Sequence, residues 1–432
     1  MGRRTRRQAG LAAVAGLALL LTACSGTGHS RRPAAPAGSA AGATSSPAAA
    51  AAPRITITPG NGAGGADPSA GITVTAAGGT LTSVTVRTPG DAVTGAMSQG
   101  GRAWHSRWAL DVSQSYTVTA VASGSGRTVT ATSAFRTLTP NQTFTTFILE
   151  GQGQTYGVGM PIILYIDAKI TDKAAFERAL QVTTSRPVVG AWYWDYPCNM
   201  AVTCAYFRPR DYWPAGTTVT FTGHLNGVRG APGLYGAHTL TQTFGIGPSV
   251  VAVGNTATHR TQIYYNGRLR YNWPISSGRP GDDTPDGSYL TIEKANPVQM
   301  TGPGYSISVP WSVRFTFSGD YYHDAFWSVN QQGFENVSHG CVNLTPADAQ
   351  AYYDLAVPGD PITIVGSPKG GTWDNGWTEW FLGWTQLVAG SALHQAVSAG
   401  PGGSTFVDPA TLPASTATAP LGTAPTGNAN SY

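Results

Sequence analysis

Charged residues are scarce in this 432-residue chain. Lys, Arg, Asp and Glu together make up 11% of it, whereas an average soluble protein has about 25%. Glycine, proline and aromatic residues are plentiful instead, with 55 Gly, 30 Pro, 12 Trp, 18 Tyr and 13 Phe. This composition is typical of short strands joined by many turns, and the length is sufficient for about three domains. We therefore expect a mainly β protein with more than one core.

Clusters of positive charge are missing from the body of the chain. The formal net charge is +4, and part of it comes from four arginines, Arg3, Arg4, Arg6 and Arg7. No later segment interleaves Lys or Arg with aromatic residues, as nucleic-acid-binding surfaces do. We therefore expect no nucleic-acid partner.

The N-terminal apolar stretch is too short to span a bilayer stably. It covers Leu11–Leu21, follows the arginines and ends at Leu21-Thr22-Ala23-Cys24. The order of basic and apolar regions is that of a secretory signal, and the last four residues resemble a bacterial lipobox. We predict a lipoprotein signal peptide over 1–23, a lipidated Cys24, and a chain anchored at the outer face of the cytoplasmic membrane, facing the cell wall. The alternative is an ordinary secretory signal with an incidental Cys24, which also exports the chain.

Cysteine is rare, with four in the whole sequence. Exported thiols are usually lipidated, paired or functional, so each cysteine requires an account. Cys198 and Cys204 lie close enough in one aromatic-rich loop to close a local disulfide. Cys341 is then left without a partner; taken alone, it fits a small buried hydrophobic residue better than a catalytic one.

Composition and periodicity divide the mature chain. Residues 24–53 are almost entirely Ala, Ser, Gly, Pro and Thr, which predicts a disordered linker after the lipidated cysteine. Alternating apolar and polar segments recur between turns over 54–139 and again over 140–248. This pattern predicts two β-sandwich units.

Three further segments follow. A third β-rich unit covers 249–367, and we expect the Trp-rich segment 368–397 to pack on it. The tail 398–432 is rich in Pro, Thr, Ala and Gly and is predicted to be disordered.

Local signals predict particular elements. Asn266-Gly267 between two apolar runs indicates a tight hairpin. Asp172 can cap a short helix reaching Leu180. Thr345-Pro346-Ala347-Asp348 supplies a cap and a first-turn proline, which predicts a helix over Pro346–Leu355 and places Cys341 on the loop that enters it.

The segment Ser338-His339-Gly340-Cys341-Val342-Asn343 gives Cys341 a chemical context. A glycine before the thiol allows a tight turn, and a thiol needs a base such as imidazole to react near neutral pH. His339 is too close in sequence to aim its ring at the thiol. His323, at the end of the strand-like run Arg314–Tyr322, is the better base, although a lone histidine is more often a half-buried structural residue.

His323 together with Ser338–Asn343 resembles the signature of the L,D-transpeptidase catalytic domain, the YkuD fold. Thr284–Tyr289 and Asn343–Ala349 are further matches, and the similarity covers about residues 250 to 367. The lipobox, the two sandwich units and the Trp-rich segment look like the actinobacterial lipoprotein members. The resemblance implies two immunoglobulin-like domains followed by a β-rich catalytic domain with one short helix after the nucleophile.

The resemblance also implies roles for individual residues. Cys341 would be the nucleophile and His323 its base, with the backbone carbonyl of Asp324 as third partner and the backbone N–H groups around Gly340 and Cys341 in an oxyanion hole. The side chains expected to line the donor site are those of Tyr305, Ser338, His339 and Asn343. Asp324 departs from the family, which often has a smaller residue there. No metal or cofactor is implied.

The implied reaction is attack of Cys341 on the bond between the third residue and the terminal D-Ala of a peptidoglycan tetrapeptide stem. An amine of a second stem would resolve the thioester, and carbapenem β-lactams would acylate the same thiol. An L,D-carboxypeptidase, in which water is the acceptor, would use the same residues. A wall-binding lipoprotein with a degenerate enzyme domain is an alternative of a different class, and the intact Cys/His pair argues against it.

Overall fold

The computed structural model describes residues 51–195, 198, 200–302 and 304–415. The signal peptide predicted over 1–23, the lipidation of Cys24, most of the linker and the end of the tail lie outside these residues. None of the helices within the described residues is long and apolar enough to cross a membrane.

The first β unit is a sandwich of two four-stranded sheets. Their strand orders are β1-β3-β6-β5 and β2-β8-β7-β4. Alternate residues of the long strand β7, such as Val118 and Ala120, are fully buried and meet Val74 of the opposite sheet, as the sequence alternation predicts. The strands are β1 (Arg54–Thr58), β2 (Gly64–Ala66), β3 (Thr73–Ala77), β4 (Thr80–Arg87), β5 (Gly95–Ser98), β6 (Ala103–Ser106), β7 (Ser115–Gly124) and β8 (Arg127–Thr137).

The second β unit has its own core, built around the fully buried Trp192, Phe207 and Phe221. The helix α1 (Lys173–Arg178) begins where predicted, because the Asp172 carboxylate accepts a hydrogen bond from the Ala175 N–H. The strands are β9 (Gln142–Phe144), β10 (Thr146–Ile148), β11 (Thr155–Tyr156), β12 (Ile162–Ile166), β13 (Leu180–Thr184), β14 (Val188–Asp195), β15 (Thr203–Pro209), β16 (Thr218–Gly223), β17 (Arg229–Ala231), β18 (Leu234–Gly236) and β19 (Leu240–Ile246).

These strands form three sheets, and the chain's C-terminal end completes one of them. The orders are β11-β19-β16-β13, β17-β18-β9 and β10-β12-β15-β14-β31-β32, where β31 (Ala396–Gly400) and β32 (Gly403–Val407) come from the end of the chain. The predicted disorder from residue 398 is therefore wrong as far as residue 415. Val397 and Ala399 bury their side chains in the second unit's core. Their strand β31 pairs with β14, which is distant in sequence, so the sequence around residue 398 carries no signal of a strand.

The Trp-rich segment lies between the second and third units. Phe381 contacts Tyr289 of the third unit, as expected. Two of its tryptophans contact the second unit: the indole N–H of Trp380 donates to the Gly159 carbonyl, and Trp373 packs on Tyr193. The segment thus contacts the third unit, as predicted, and the second unit as well. The chain then forms α3 (Trp384–Ala389).

The third β unit carries two sheets and a hairpin. The orders are β22-β21-β20-β30-β23 and β24-β27-β28-β29, with β25-β26 as a separate pair. The strands are β20 (Val250–Asn255), β21 (Arg260–Tyr265), β22 (Arg268–Pro274), β23 (Gly287–Leu290), β24 (Glu293–Ala295), β25 (Val298–Gly302), β26 (Tyr305–Val309), β27 (Ser312–Arg314), β28 (Tyr321–Asp324), β29 (Val342–Leu344) and β30 (Pro361–Val365).

Two local predictions in this unit are confirmed and one is wrong. Asn266 and Gly267 both have positive φ angles in the hairpin between β21 and β22. The helix α2 covers Pro346–Leu355 with Thr345 as its cap. The run Arg314–Tyr322, however, is not one strand, because the chain turns back over 315–320 between β27 and β28. We call this segment the 315–320 turn.

Candidate active site

The pairing of β28 with β29 places His323 and Cys341 on one face. The two strands are parallel, and His323 pairs with Asn343 while Tyr322 pairs with Val342. Tyr322 and Val342 are buried in the core. Because side chains alternate along a strand, His323, Asn343 and the preceding Cys341 share the opposite face. Cys341 thus leads directly into a strand, and its predicted place on the loop entering the helix is wrong.

His323 is held in one orientation by a main-chain contact. Its Nδ1 atom lies 2.7 Å from the carbonyl oxygen of Asp324, and the residue is 3% exposed. A carbonyl oxygen can only accept, so Nδ1 carries the proton and Nε2 is left as an acceptor. Burial lowers the pKa of His323 to about 4, against a smaller opposing effect of the Asp324 carbonyl. The imidazole is therefore neutral and ready to take a proton.

The carboxylate of Asp324 lies on the other face of the strand. Asp324 pairs with Leu344, whose side chain is in the core. Burial raises the pKa of Asp324, and the nearby Phe326 N–H partly offsets this effect. Its Oδ1 has no hydrogen-bond partner among the described residues. The residue therefore reaches His323 through its backbone and not through its side chain.

The Cys341 thiol is neutral at rest. Burial is the main cause that raises its pKa to about 12, and the Asp320 carboxylate adds to the shift, while the Tyr321 N–H opposes it. The thiol donates a long hydrogen bond, 3.7 Å, to the Gly319 carbonyl. With a neutral thiol and a neutral imidazole, proton transfer has to accompany attack on a substrate rather than precede it.

The turn before Cys341 is held by hydroxyl groups. The Ser338 hydroxyl donates to the Cys341 carbonyl at 2.6 Å and accepts from the Gly340 N–H at 3.1 Å, and the Thr284 hydroxyl donates to the Gly340 carbonyl. The φ angle of Gly340 is +131°, which favours glycine. Since the Gly340 N–H already has an acceptor, the expectation that it serves an oxyanion hole is not supported in this state.

A cavity of about 710 Å³ opens in front of the thiol. Its lining includes all four side chains expected at the donor site, together with His323, Cys341 and the β25–β26 hairpin. The Tyr305 ring stacks on the His339 ring with centroids 5.0 Å apart. The Asn343 amide nitrogen donates to Ser328 at 2.9 Å. The structure therefore brings the predicted donor-site residues Tyr305, Ser338, His339 and Asn343 together.

Sequence reasoning did not identify two further residues at the site. The Trp327 ring lies 5.9 Å from the His323 ring and is 45% exposed. Asp320 lies against Gly340, where its Oδ1 occupies the space that the side chain of any larger residue would need. Exposed aromatic residues near the site gave no sequence signal, and Asp320 lay inside a run interpreted as a strand.

The described residues contain no group of three or more His, Cys, Asp or Glu side chains that could hold a metal ion. The reactive groups in the cavity include the Cys341 thiol and the His323 imidazole of fixed tautomer. This arrangement is suited to nucleophilic acyl transfer, in which the imidazole takes the thiol proton and later protonates the leaving group.

Two family models match parts of this chain. A family described as bacterial Ig domain matches residues 63–229, and one described as L,D-transpeptidase catalytic domain matches residues 249–364. L,D-transpeptidase 2 of Mycobacterium tuberculosis is 33% identical over 353 residues, 79% of this chain and 85% of that protein. L,D-transpeptidase 5 of the same species is 34% identical over 356 residues, 79% of this chain and 78% of that protein.

Among solved structures, an LD transpeptidase in complex with imipenem is 31% identical, with a TM-score of 0.44, and the match covers 52% of this chain and 100% of that one. The two M. tuberculosis relatives match 79% of this chain at 33% and 34% identity, which shows that this chain belongs to the L,D-transpeptidase family.

Proposed function

We propose that this chain is a peptidoglycan L,D-transpeptidase that joins the third residues of two stem peptides through a thioester on Cys341 and releases the terminal D-Ala. The observation that carries the proposal is that Cys341 and His323 line the same cavity, with the His323 tautomer set by the Asp324 carbonyl. The family supports a transpeptidase in general. The thioester and the type of cross-link are our inference.

In the first half-reaction, the Cys341 sulfur attacks the carbonyl of the donor's third residue as its proton moves to Nε2 of His323. The imidazolium then protonates the leaving amine, and D-Ala departs. The Asp324 carbonyl stabilises the imidazolium through the bond to Nδ1 and requires no carboxylate. Because the Gly340 N–H is already bound, we assign the oxyanion to the main-chain N–H of Cys341 at the same turn.

The donor stem would occupy the cavity under the β25–β26 hairpin. Stacking fixes Tyr305 over His339 at one wall, while Asn343 and Ser338 supply polar groups at the floor. The Asn343 Oδ1 has no hydrogen-bond partner among the described residues although it is buried. It therefore offers an acceptor for a donor-stem N–H.

We further propose that carbapenem β-lactams acylate Cys341 in the same cavity, since one relative has been solved with imipenem. We also propose an exported, membrane-anchored location, because the sequence ending at Cys24 resembles a lipobox. It would place the enzyme at the outer face of the cytoplasmic membrane, beside its wall substrate.

The test is to incubate the purified chain with tetrapeptide stems and to identify the products by mass spectrometry. Dimers linked between third residues, together with free D-Ala, support the proposal. Tripeptide and D-Ala without dimers would show the L,D-carboxypeptidase instead. Recovery of the intact stem under conditions in which the protein binds isolated wall would show the non-catalytic alternative.

A further inference from the structure

An acidic side chain lies beside the nucleophile without a cationic partner. The Asp320 Oδ1 packs against Gly340, the residue before Cys341, and its charge contributes to the raised pKa of the thiol. None of the ion pairs within the described part of the chain involves Asp320. A negative charge here opposes both a thiolate and an oxyanion, so it works against the first half-reaction.

The Asp320 carboxylate is nevertheless held firmly in place. Its Oδ2 accepts hydrogen bonds from the Thr316 hydroxyl at 2.7 Å and the Ser318 hydroxyl at 3.1 Å. Its main-chain N–H donates to the Thr316 hydroxyl, and its carbonyl accepts from the Phe315 N–H. These contacts use Oδ2 and the backbone, and the residue is half-buried. Oδ1 therefore remains for a ligand.

Asp320 lies beside the thiol but outside the lining of the donor cavity. The donor cavity is lined by the β25–β26 hairpin and the β28–β29 face, and Asp320 is not part of its lining. The 315–320 turn instead reaches the sulfur through the Gly319 carbonyl. Cys341 thus lines the donor cavity and also contacts the 315–320 turn, which is not part of that lining.

In a transpeptidase the acceptor has to reach the thioester while the acylated donor stem still occupies the donor cavity. The acceptor is a primary amine, and such an amine is an ammonium ion near neutral pH, because its pKa is about 10. A fixed carboxylate beside the acylated sulfur attracts this ion and forms a charge-assisted hydrogen bond with it. Water, the competing acceptor, gains no such attraction.

We propose that Asp320 binds the ammonium group of the acceptor stem and so favours transfer to an amine over hydrolysis; this inference rests on the proposed function. The ammonium passes one proton through Asp320 to solvent, and the free amine forms the new C–N bond. As the C–S bond breaks, the amine's second proton passes through His323 to the sulfur, which restores the thiol. The net products are an amide, the thiol and one released proton.

The experiment compares wild type with Asp320→Asn, which keeps the size and a hydrogen-bond acceptor but removes the charge. Asp320→Glu restores the charge, and Asp354→Asn removes an exposed carboxylate of α2 as a matched control. Each protein is given a tetrapeptide donor and one of two acceptors, a primary alkylamine that is charged at neutral pH or an alkoxyamine that is not. Mass spectrometry measures the amide and hydrolysis products and the KM for each acceptor.

We expect Asp320→Asn to lower kcat/KM for the charged acceptor by about tenfold or more, the amount one charge-assisted hydrogen bond supplies. The kcat/KM for the uncharged acceptor should change little. Asp320→Glu should recover part of the kcat/KM lost with the charged acceptor. Acylation by a β-lactam should become faster in Asp320→Asn, because removing the charge lowers the pKa of the thiol, and this acylation also shows that the variant is folded.

Two results with Asp320→Asn would overturn the role of Asp320. One is an equal loss of kcat/KM for both acceptors, and the other is a ratio of amide to hydrolysis product that is unchanged from wild type with the charged acceptor. Failure of the wild type to release D-Ala from the donor would instead refute the proposed function itself. The two failures are therefore distinguishable in the same assay.

Discussion

The Nδ1 atom of His323 lies 2.7 Å from the carbonyl oxygen of Asp324, the next residue in the chain. An acid beside a histidine suggests a triad in which the carboxylate orients the ring. Here the carboxylate lies on the core side of the strand, opposite the imidazole. The orienting group is thus one that no side-chain substitution removes.

The first prediction follows from this contact. Asp324→Asn and Asp324→Ala should keep most of the rate of acylation by a β-lactam, because the carbonyl remains. His323→Gln should lower this acylation rate by about a hundredfold or more, because general-base catalysis is missing. Stopped-flow acylation rates compare the three variants. A loss in Asp324→Asn as large as that in His323→Gln would make the carboxylate the true third member.

The second prediction concerns the stack of Tyr305 on His339. Tyr305→Ala should raise KM for the donor stem several-fold, because it removes one wall of the cavity and releases the His339 ring. Tyr305→Phe keeps the ring and should stay close to wild type in both KM and kcat. Steady-state kinetics with the tetrapeptide distinguish the two substitutions. A kcat loss in Tyr305→Phe would show that the hydroxyl contacts the transition state.

Some of this site could be predicted from the sequence because its signals are local. The Ser338–Asn343 segment, the spacing to His323 and the cap at Thr345 all lie within short stretches, and the structure places them as the patterns indicate. The position of Asp320 could not be predicted. It depends on a turn inside a strand-like run, and the turn is held by contacts among Thr316, Ser318 and Asp320.

The C-terminal end was predicted poorly for a related reason. Residues 396–407 form strands only because β14 presents a free edge to them. The buried carboxylate of Glu177 also accepts hydrogen bonds from the Ser391 hydroxyl and the Ala392 N–H, which fixes the preceding loop. Glu177 and β14 are both about 200 residues away in sequence from the segments they hold. The composition of the tail contains no sign of these contacts, and by itself it indicated disorder.

The third prediction is a pH dependence of stability that does not come from the active site. Burial raises the pKa of Glu150 from 4.5 to about 8. Between these values the unfolded chain releases a proton that the folded chain retains, so the stability supplied by this group is present below pH 4.5 and is lost as the pH rises through 8. Glu150→Gln should remove this dependence, and its Tm relative to wild type should be higher at pH 8.5 than at pH 4.5.

Thermal unfolding at both pH values measures the Glu150 effect. Asp354→Asn, on the exposed end of α2, is a control in which we expect no such difference. A Tm difference between Glu150→Gln and wild type that is the same at both pH values would mean that the Glu150 carboxyl ionises normally in the folded protein.

The fourth prediction concerns the N-terminal cysteine. If Cys24 is lipidated, the protein made in a bacterial host that processes lipoproteins should partition into the detergent phase. Cys24→Ser should move it to the aqueous phase, because a lipobox without its cysteine cannot be modified. Phase separation followed by immunoblotting measures the distribution. Wild-type protein found wholly in the aqueous phase would remove the anchor and leave an ordinary secretory signal.

The central claim is that Cys341 carries the acyl group, and intact-protein mass spectrometry after exposure to a carbapenem tests it most directly. The disulfide between Cys198 and Cys204 provides a matched control, since replacing both with serine should lower stability by about 2 to 4 kcal/mol and leave one acyl group per chain. We predict one adduct in wild type, mapped to Cys341 by peptide sequencing, and none in Cys341→Ala. An adduct of the same mass in Cys341→Ala would contradict the account.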